Sequence, residues 1–174
     1  MTEAYFNRLA AEGYNRIPVT LETFADLDTP LSIYLKLANG PYTYLLESVQ
    51  GGERFGRYSI IGLTSPTRIV VTGHQVLVLN GNRIAEREDD TNPLTFIGNY
   101  LQRFRAAPAS GLPRFCGGLV GCFGYDTVRY IETRLTRTQK TDDLGIPDIV
   151  LLLSEEIAVV DNLSGKLTMV VYAE

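Results

Sequence analysis

Asn80-Gly81 lies between two short runs of β-prone residues, Gln75 to Leu79 and Arg83 to Arg87. In that setting the dipeptide is the strongest short-range signal a sequence offers for a β-hairpin. It commits this part of the chain to an antiparallel pair. The segments before it, Tyr42 to Val49, Arg57 to Leu63 and Arg68 to Thr72, are also short and rich in aromatic and β-branched residues, so the stretch reads as an antiparallel meander. Farther on, Phe115 to Tyr125 reads as a strand punctuated by glycines. Asp148 to Val160 and Lys166 to Tyr172 read as a second long hairpin turning around Asn162 to Gly165. Its near-continuous apolar runs suggest strands covered on both faces.

Helical spacing appears between these runs. Tyr5, Phe6, Leu9 and Ala10 predict a helix over Glu3 to Glu12, and the alternation of Ile17, Val19 and Leu21 predicts a half-buried strand over Arg16 to Thr23. Thr29-Pro30 supplies an N-cap and a first-turn proline for a helix carrying Leu31, Leu35 and Ala38, which Gly40-Pro41 stops. Asn92-Pro93 opens another helix, with Leu94, Ile97, Leu101 and Phe104 as its apolar stripe. Thr127 to Arg134 reads as a short helix and Thr136 to Gly145 as a polar loop. Runs of strands interrupted by helices, without regular βαβ alternation, predict an α+β fold of antiparallel, sandwich-like sheets with a few flanking helices. At 174 residues the chain is expected to form a single domain, 1–174.

With 45% hydrophobic and 21% charged residues the composition is that of a globular protein. A net charge of −4 without any like-charge run gives no footprint for nucleic acid or for an anionic membrane. Residues 1–14 have neither the basic start nor the apolar run of a secretory signal, and the longest apolar run, Ile149 to Leu153, is too short to span a bilayer, so a cytoplasmic location is expected. Cys116 and Cys122 match no zinc spacing and are read as reduced core residues.

Residues that could carry chemistry are few. The Gly-rich run 51–56 lacks the Lys-Ser/Thr ending of a phosphate loop and precedes a strand, so it reads as a turn. The glycines of 117–124 lie inside a strand, where they let a backbone or a bulky side chain approach closely. His74 stands in a turn without a nucleophile beside it, and no pair of carboxylates is set up as acid and base; no catalytic or metal-binding residue is assigned. One stretch has the makings of a binding site: Leu45, Leu46, Glu47 and Ser48, then Ser59 on the next strand, with Arg54 and Arg57 between. A pocket for a free amino acid needs a carboxylate for the ammonium, a basic group for the carboxylate and an apolar slot, and two neighbouring strands would supply all three. The plainer alternative is that Leu46 belongs to the core while Glu47 and Ser48 are a solvated strand end.

The run YLLESVQGGERFGRYSIIG (44–62) resembles the corresponding segment of the large subunit of anthranilate synthase, and PRFCGGLVGCFGYDTVRYIE (113–132) resembles that family's second N-terminal signature. TPLSIYLKL (29–37) and DDLGIPDIVLLLSEEIAVVDN (142–162) fit the same family in the same order. The resemblance implies the N-terminal region of an enzyme that makes anthranilate from chorismate with magnesium, using ammonia from a glutamine amidotransferase partner, under feedback inhibition by tryptophan. The family's effector site maps onto Leu45, Leu46, Glu47, Ser48 and Ser59, with Glu47 as ammonium acceptor, Leu46 and Ser48 lining the pocket and Arg57 about where a basic residue would face the effector. The chorismate and magnesium residues lie in a C-terminal portion that this chain lacks, and the pocket is shared with a Pro-Tyr-Met element there. The fragment alone is therefore expected to be inactive and without a cofactor. The sheet faces which that portion would cover are expected to promote self-association, giving a possible homo-oligomer. The para-aminobenzoate synthase large subunit is the nearest alternative, and a β-rich interaction domain without a ligand is the alternative from another class.

Overall fold

A computed structural model describes residues 1–47, 56–132, 134–135 and 144–174. In chain order it contains helix α1 (Glu3–Ala11), strand β1 (Ile17–Phe24), helix α2 (Pro30–Leu37), strands β2 (Tyr44–Leu46), β3 (Tyr58–Gly62), β4 (Thr67–Thr72), β5 (Gln75–Asn80) and β6 (Arg83–Glu88), helix α3 (Pro93–Leu101), strand β7 (Gly118–Phe123), a 3-10 helix (Tyr125–Tyr130), and strands β8 (Ile149–Ser154), β9 (Glu156–Asp161) and β10 (Lys166–Ala173). The strands form two five-stranded antiparallel sheets, ordered β1-β10-β9-β3-β2 and β6-β5-β4-β8-β7. The α+β class expected from the sequence is what forms. The chain divides into two compact units, Met1–Ser65 with Phe104–Gly118 and Ser154–Glu174, and Pro66–Arg103 with Leu119–Leu153. Among the described residues no helix is long and apolar enough to cross a membrane.

The first unit is built on the sheet β1-β10-β9-β3-β2. Helix α2 starts in a reciprocal cap between Thr29 and Ser32, with Pro30 in its first turn. It buries Ile33, and Ala38 just beyond its end, against Ile61, Ala158, Val160 and Leu167. Helix α1 sets Leu9 against Ile17 and Ala107. On the opposite face of β9, Ile157 and Val159 join Val170, with Leu112, Cys116 and Tyr172 packed on them. Strand β9 is thus covered on both faces, as its unbroken apolar run requires. Each such aliphatic side chain contributes roughly 1.5–3 kcal/mol when fully buried.

The second unit is local at one end and tight at the other. Strands β4, β5 and β6 follow one another through the two-residue turns Gly73-His74 and Gly81-Asn82. Both leading glycines have positive φ, +55° and +58°, as the first position of such a hairpin turn demands. Strand β7 passes so close to β8 that a β-carbon at Gly121 would overlap the carbonyl oxygen of Val150. That is the close backbone approach the strand glycines predicted. Helix α3, capped by Asn92, buries Pro93, Phe96, Ile97 and Tyr100.

Several expectations are corrected. The run 148–160 is not one strand: it breaks at Glu155, and its halves pair in different sheets. Apolar continuity gives no sign of such a break, because both halves are buried. The meander likewise includes only β4 to β6, since β2 and β3 belong to the other sheet. Helix α2 leaves Leu31 and Leu35 exposed and buries Ile33, and α3 leaves Leu101 exposed and buries Phe96, Ile97 and Tyr100, so the buried stripe of each lies to one side of the one expected. Cys122 is exposed rather than in the core, on a strand at the edge of its sheet, while Cys116 is half-buried with its sulfur 3.2 Å from the Tyr172 hydroxyl.

Candidate functional site

The antiparallel register of β2 with β3 sets Leu45 opposite Ile61 and Leu46 opposite Ile60. Side chains alternate along a strand, so Leu45, Ile61 and Ser59 share the face under α2 while Leu46 and Ile60 share the other. Leu45 packs on the cluster beneath α2. Ser59 is only 2% exposed. Leu46 is 46% exposed, and Glu47, just past the end of β2, is exposed. Ser48 and Arg54 lie outside the described residues. Among the described site residues, Leu45 and Ser59 lie on the face under α2 and Leu46 on the other, because Leu45 and Leu46 are consecutive in the strand.

Two side chains that sequence reasoning did not single out organise the β3 end. Asn162 donates from Nδ2 to Ser59 Oγ at 3.0 Å and to the Gly56 carbonyl at 3.3 Å, and its backbone N–H donates to the Arg57 carbonyl at 2.8 Å. It pins 56–59 to the turn after β9. Asp161 receives the Arg57 guanidinium on two nitrogens, Nη2 at 2.7 Å and Nε at 3.1 Å. This paired geometry is the strong form of a charge-assisted bond. The guanidinium, with help from Ser164 and the Leu163 N–H, holds the Asp161 carboxyl down to about 2, and the same pairing raises Arg57 above its ordinary value. Arg57 also lies 5.0 Å over the Tyr58 ring.

A shallow cavity of about 230 Å3 opens beside this pair, lined by Arg57, Tyr58, Leu112, Val159, Asp161 and Lys166 among others. Lys166 reaches Glu22 across the neighbouring strands at 2.7 Å. The cavity thus carries charges of both signs, each paired within the chain, beside the apolar side chains of Leu112 and Val159. Among the described residues no group of three or more His, Cys, Asp or Glu side chains is placed to hold a metal ion. Asp161-Asn162 carried one readable signal, as the start of a hairpin turn, but nothing in their spacing ties them to residues about a hundred positions earlier.

No protein-family profile matches the chain. Curated relatives match it along nearly its whole length. Anthranilate synthase component 1 of Pseudomonas putida is 53% identical over 174 residues, which is 100% of this chain and 35% of that protein. The component 1 of Neisseria meningitidis serogroup B is 58% identical over 168 residues, 95% of this chain and 34% of that protein. That of Acetivibrio thermocellus is 37% identical over 164 residues, covering 94% and 33%. The chain therefore spans about a third of the length of the curated relatives it matches. Among solved structures, anthranilate synthase component I from Streptococcus pneumoniae TIGR4 is similar over 83% of this chain and 30% of that one, at 24% identity and a TM-score of 0.48.

Proposed function

Because this chain is the counterpart of the N-terminal third of anthranilate synthase component 1, we propose that residues 1–174 form one regulatory region, which binds tryptophan as the feedback inhibitor of a cytoplasmic enzyme making anthranilate from chorismate. In this reading the region performs no bond-making step. Chorismate and magnesium are handled by the remaining two thirds of the full-length protein, and ammonia comes from a glutamine amidotransferase subunit.

The observation that carries the reading is the register of β2 on β3, which ends the edge strand at Leu46 and leaves the carboxylate of Glu47 in the open beside the Arg57 end of β3. An exposed carboxylate is available to an ammonium group. Leu46 and Ser48 would border the indole, and Arg57 would face the effector's carboxylate. Leu45 and Ser59 would support these residues from inside the sheet, since one is packed under α2 and the other is buried and bonded to Asn162.

The test is Ser48→Phe in the full-length subunit assayed with its amidotransferase partner. Anthranilate formation should persist while the tryptophan concentration for half-inhibition rises at least about tenfold, equivalent to 1.4 kcal/mol of effector binding. Inhibition unchanged from the parent enzyme would remove the site from this segment.

A further inference from the structure

Arg57 stands one residue before β3, and strand alternation carried back to it would send its side chain toward α2, with Ser59. Its guanidinium is bonded on the other side of the sheet. Asp161 shares the β9 face of Ile157 and Val159, away from α2, and stands opposite Tyr58 in the register. That is also the side of Leu46, because Leu46 pairs with Ile60 and Ile60 with Val159. The carboxylate takes Nε at 3.1 Å and Nη2 at 2.7 Å, which is one edge of a planar group. The fork of Nη1 with the second Nη2 proton is a separate edge, shaped for another carboxylate. Asn162 fixes the chain from which this side chain starts, its backbone N–H donating to the Arg57 carbonyl at 2.8 Å and its Nδ2 to the Gly56 carbonyl at 3.3 Å.

We infer that Asp161 is a positioning residue of the effector site: it draws the Arg57 guanidinium across to the side of Leu46 and holds it by one edge, so that the other edge meets the carboxylate of a free amino acid. The gain is one of orientation and not of added charge, because the pair is neutral overall. A guanidinium already ordered loses less rotamer freedom when a ligand arrives. The Tyr58 ring, 5.0 Å from the guanidinium carbon, backs the same group. Lys166, another cation lining the cavity, is tied to Glu22 at 2.7 Å and has no planar fork to offer. The inference rests on the tryptophan reading of this segment and adds to it how the basic residue is held.

The experiment is a double-mutant cycle in the full-length subunit with its amidotransferase partner. It reads the tryptophan concentration for half-inhibition, at one chorismate concentration, against each variant's own uninhibited rate. Asp161→Asn keeps an oxygen for the Leu163 N–H, so the turn persists while the charge that holds the guanidinium is gone. In the parent background it is expected to raise the half-inhibition concentration about fivefold, and Arg57→Ala about tenfold. With Arg57→Ala already present, Asp161→Asn is expected to add less than about twofold. Equal effects in the two backgrounds make Asp161 an ordinary prop of the turn and overturn the inference. An unchanged concentration in either single variant overturns it too, and so does a lowered one in Asp161→Asn, which makes the carboxylate a competitor for Arg57. Arg57→Gln takes the place of Arg57→Ala should the truncation prevent folding. Ser48→Phe run alongside separates the failures: if it relaxes inhibition and Asp161→Asn does not, only the positioning role falls, whereas inhibition unchanged in Ser48→Phe removes the site itself.

Discussion

The two sheets are assembled from opposite kinds of information. In β6-β5-β4-β8-β7, three strands are consecutive and joined by two-residue turns whose first residue is a glycine at positive φ, so register is set locally. In β1-β10-β9-β3-β2, the first and last strands of the chain lie side by side, Ile17 opposite Ala173 and Phe24 opposite Lys166. No turn can set that register. Burial can set it only where these strands are buried, at Ile17 of β1 and at Leu167 and Val170 of β10, because β1 is exposed from Val19 onward. The candidate site sits in this second kind of sheet, where Asn162 and Asp161 reach back to 56–59. A binding position made by long-range pairing exists only after the whole unit has closed.

This contrast can be broken at three points. The largest effect should come from Gly121→Ala in the local sheet, where the new methyl group meets backbone rather than a flexible side chain. A loss of roughly 3 kcal/mol, near the upper end of overpacking costs, should appear as a thermal midpoint lowered by several degrees. A midpoint unchanged within error would mean that β7 does not run as tightly against β8 as described. Next, Gly81→Ala forces a side chain into the left-handed region and should cost about 1 kcal/mol. Hydrogen exchange should quicken in β5 and β6 and stay as it was in β9 and β10. Equal quickening in both sheets would contradict the division into local and long-range register.

The smallest effect concerns the ion pair of the long-range sheet. Asp161 has its folded value depressed from 3.8 to about 2, so its contribution is fully present above the unfolded value and is lost as pH falls through the folded one. Between pH 4 and pH 2 the parent protein should therefore lose stability that Asp161→Asn does not. The difference should stay under about 1 kcal/mol, because the guanidinium side of the pair is solvent-screened. Parallel acid-denaturation curves for parent and variant would show that the pair contributes nothing measurable.

How much was legible follows the same line. Thr29-Pro30, Asn92-Pro93 and the glycine turns spell their elements directly, since caps and positive-φ positions are properties of one or two residues. Even there the hairpin closes one residue later than Asn80-Gly81 suggests, around Gly81-Asn82, because a glycine leading the turn satisfies its geometry as well as one following an asparagine. The break at Glu155 was not legible: buried strands on either side give the same apolar text whichever sheet they enter. The kinship was legible from four separated segments in order, and the relatives bear it out. The partners of Arg57 and Ser59 were not, since a carboxylate and an amide about a hundred residues away become neighbours only through the pairing of β3 with β9.

The Tyr44 ring lies across Gly62, directly opposite it in the register, where a β-carbon would stand, and its hydroxyl shares a 2.6 Å hydrogen bond with Ser154. Burial, only partly offset by that bond, raises the Tyr44 phenol above its ordinary value. For descendants of this sequence the three positions are therefore tied together. Any gain of size at 62 must be matched by a smaller ring at 44, and that in turn strands the serine hydroxyl at 154. Substitutions at these three positions are therefore expected to be coupled in their effect on stability.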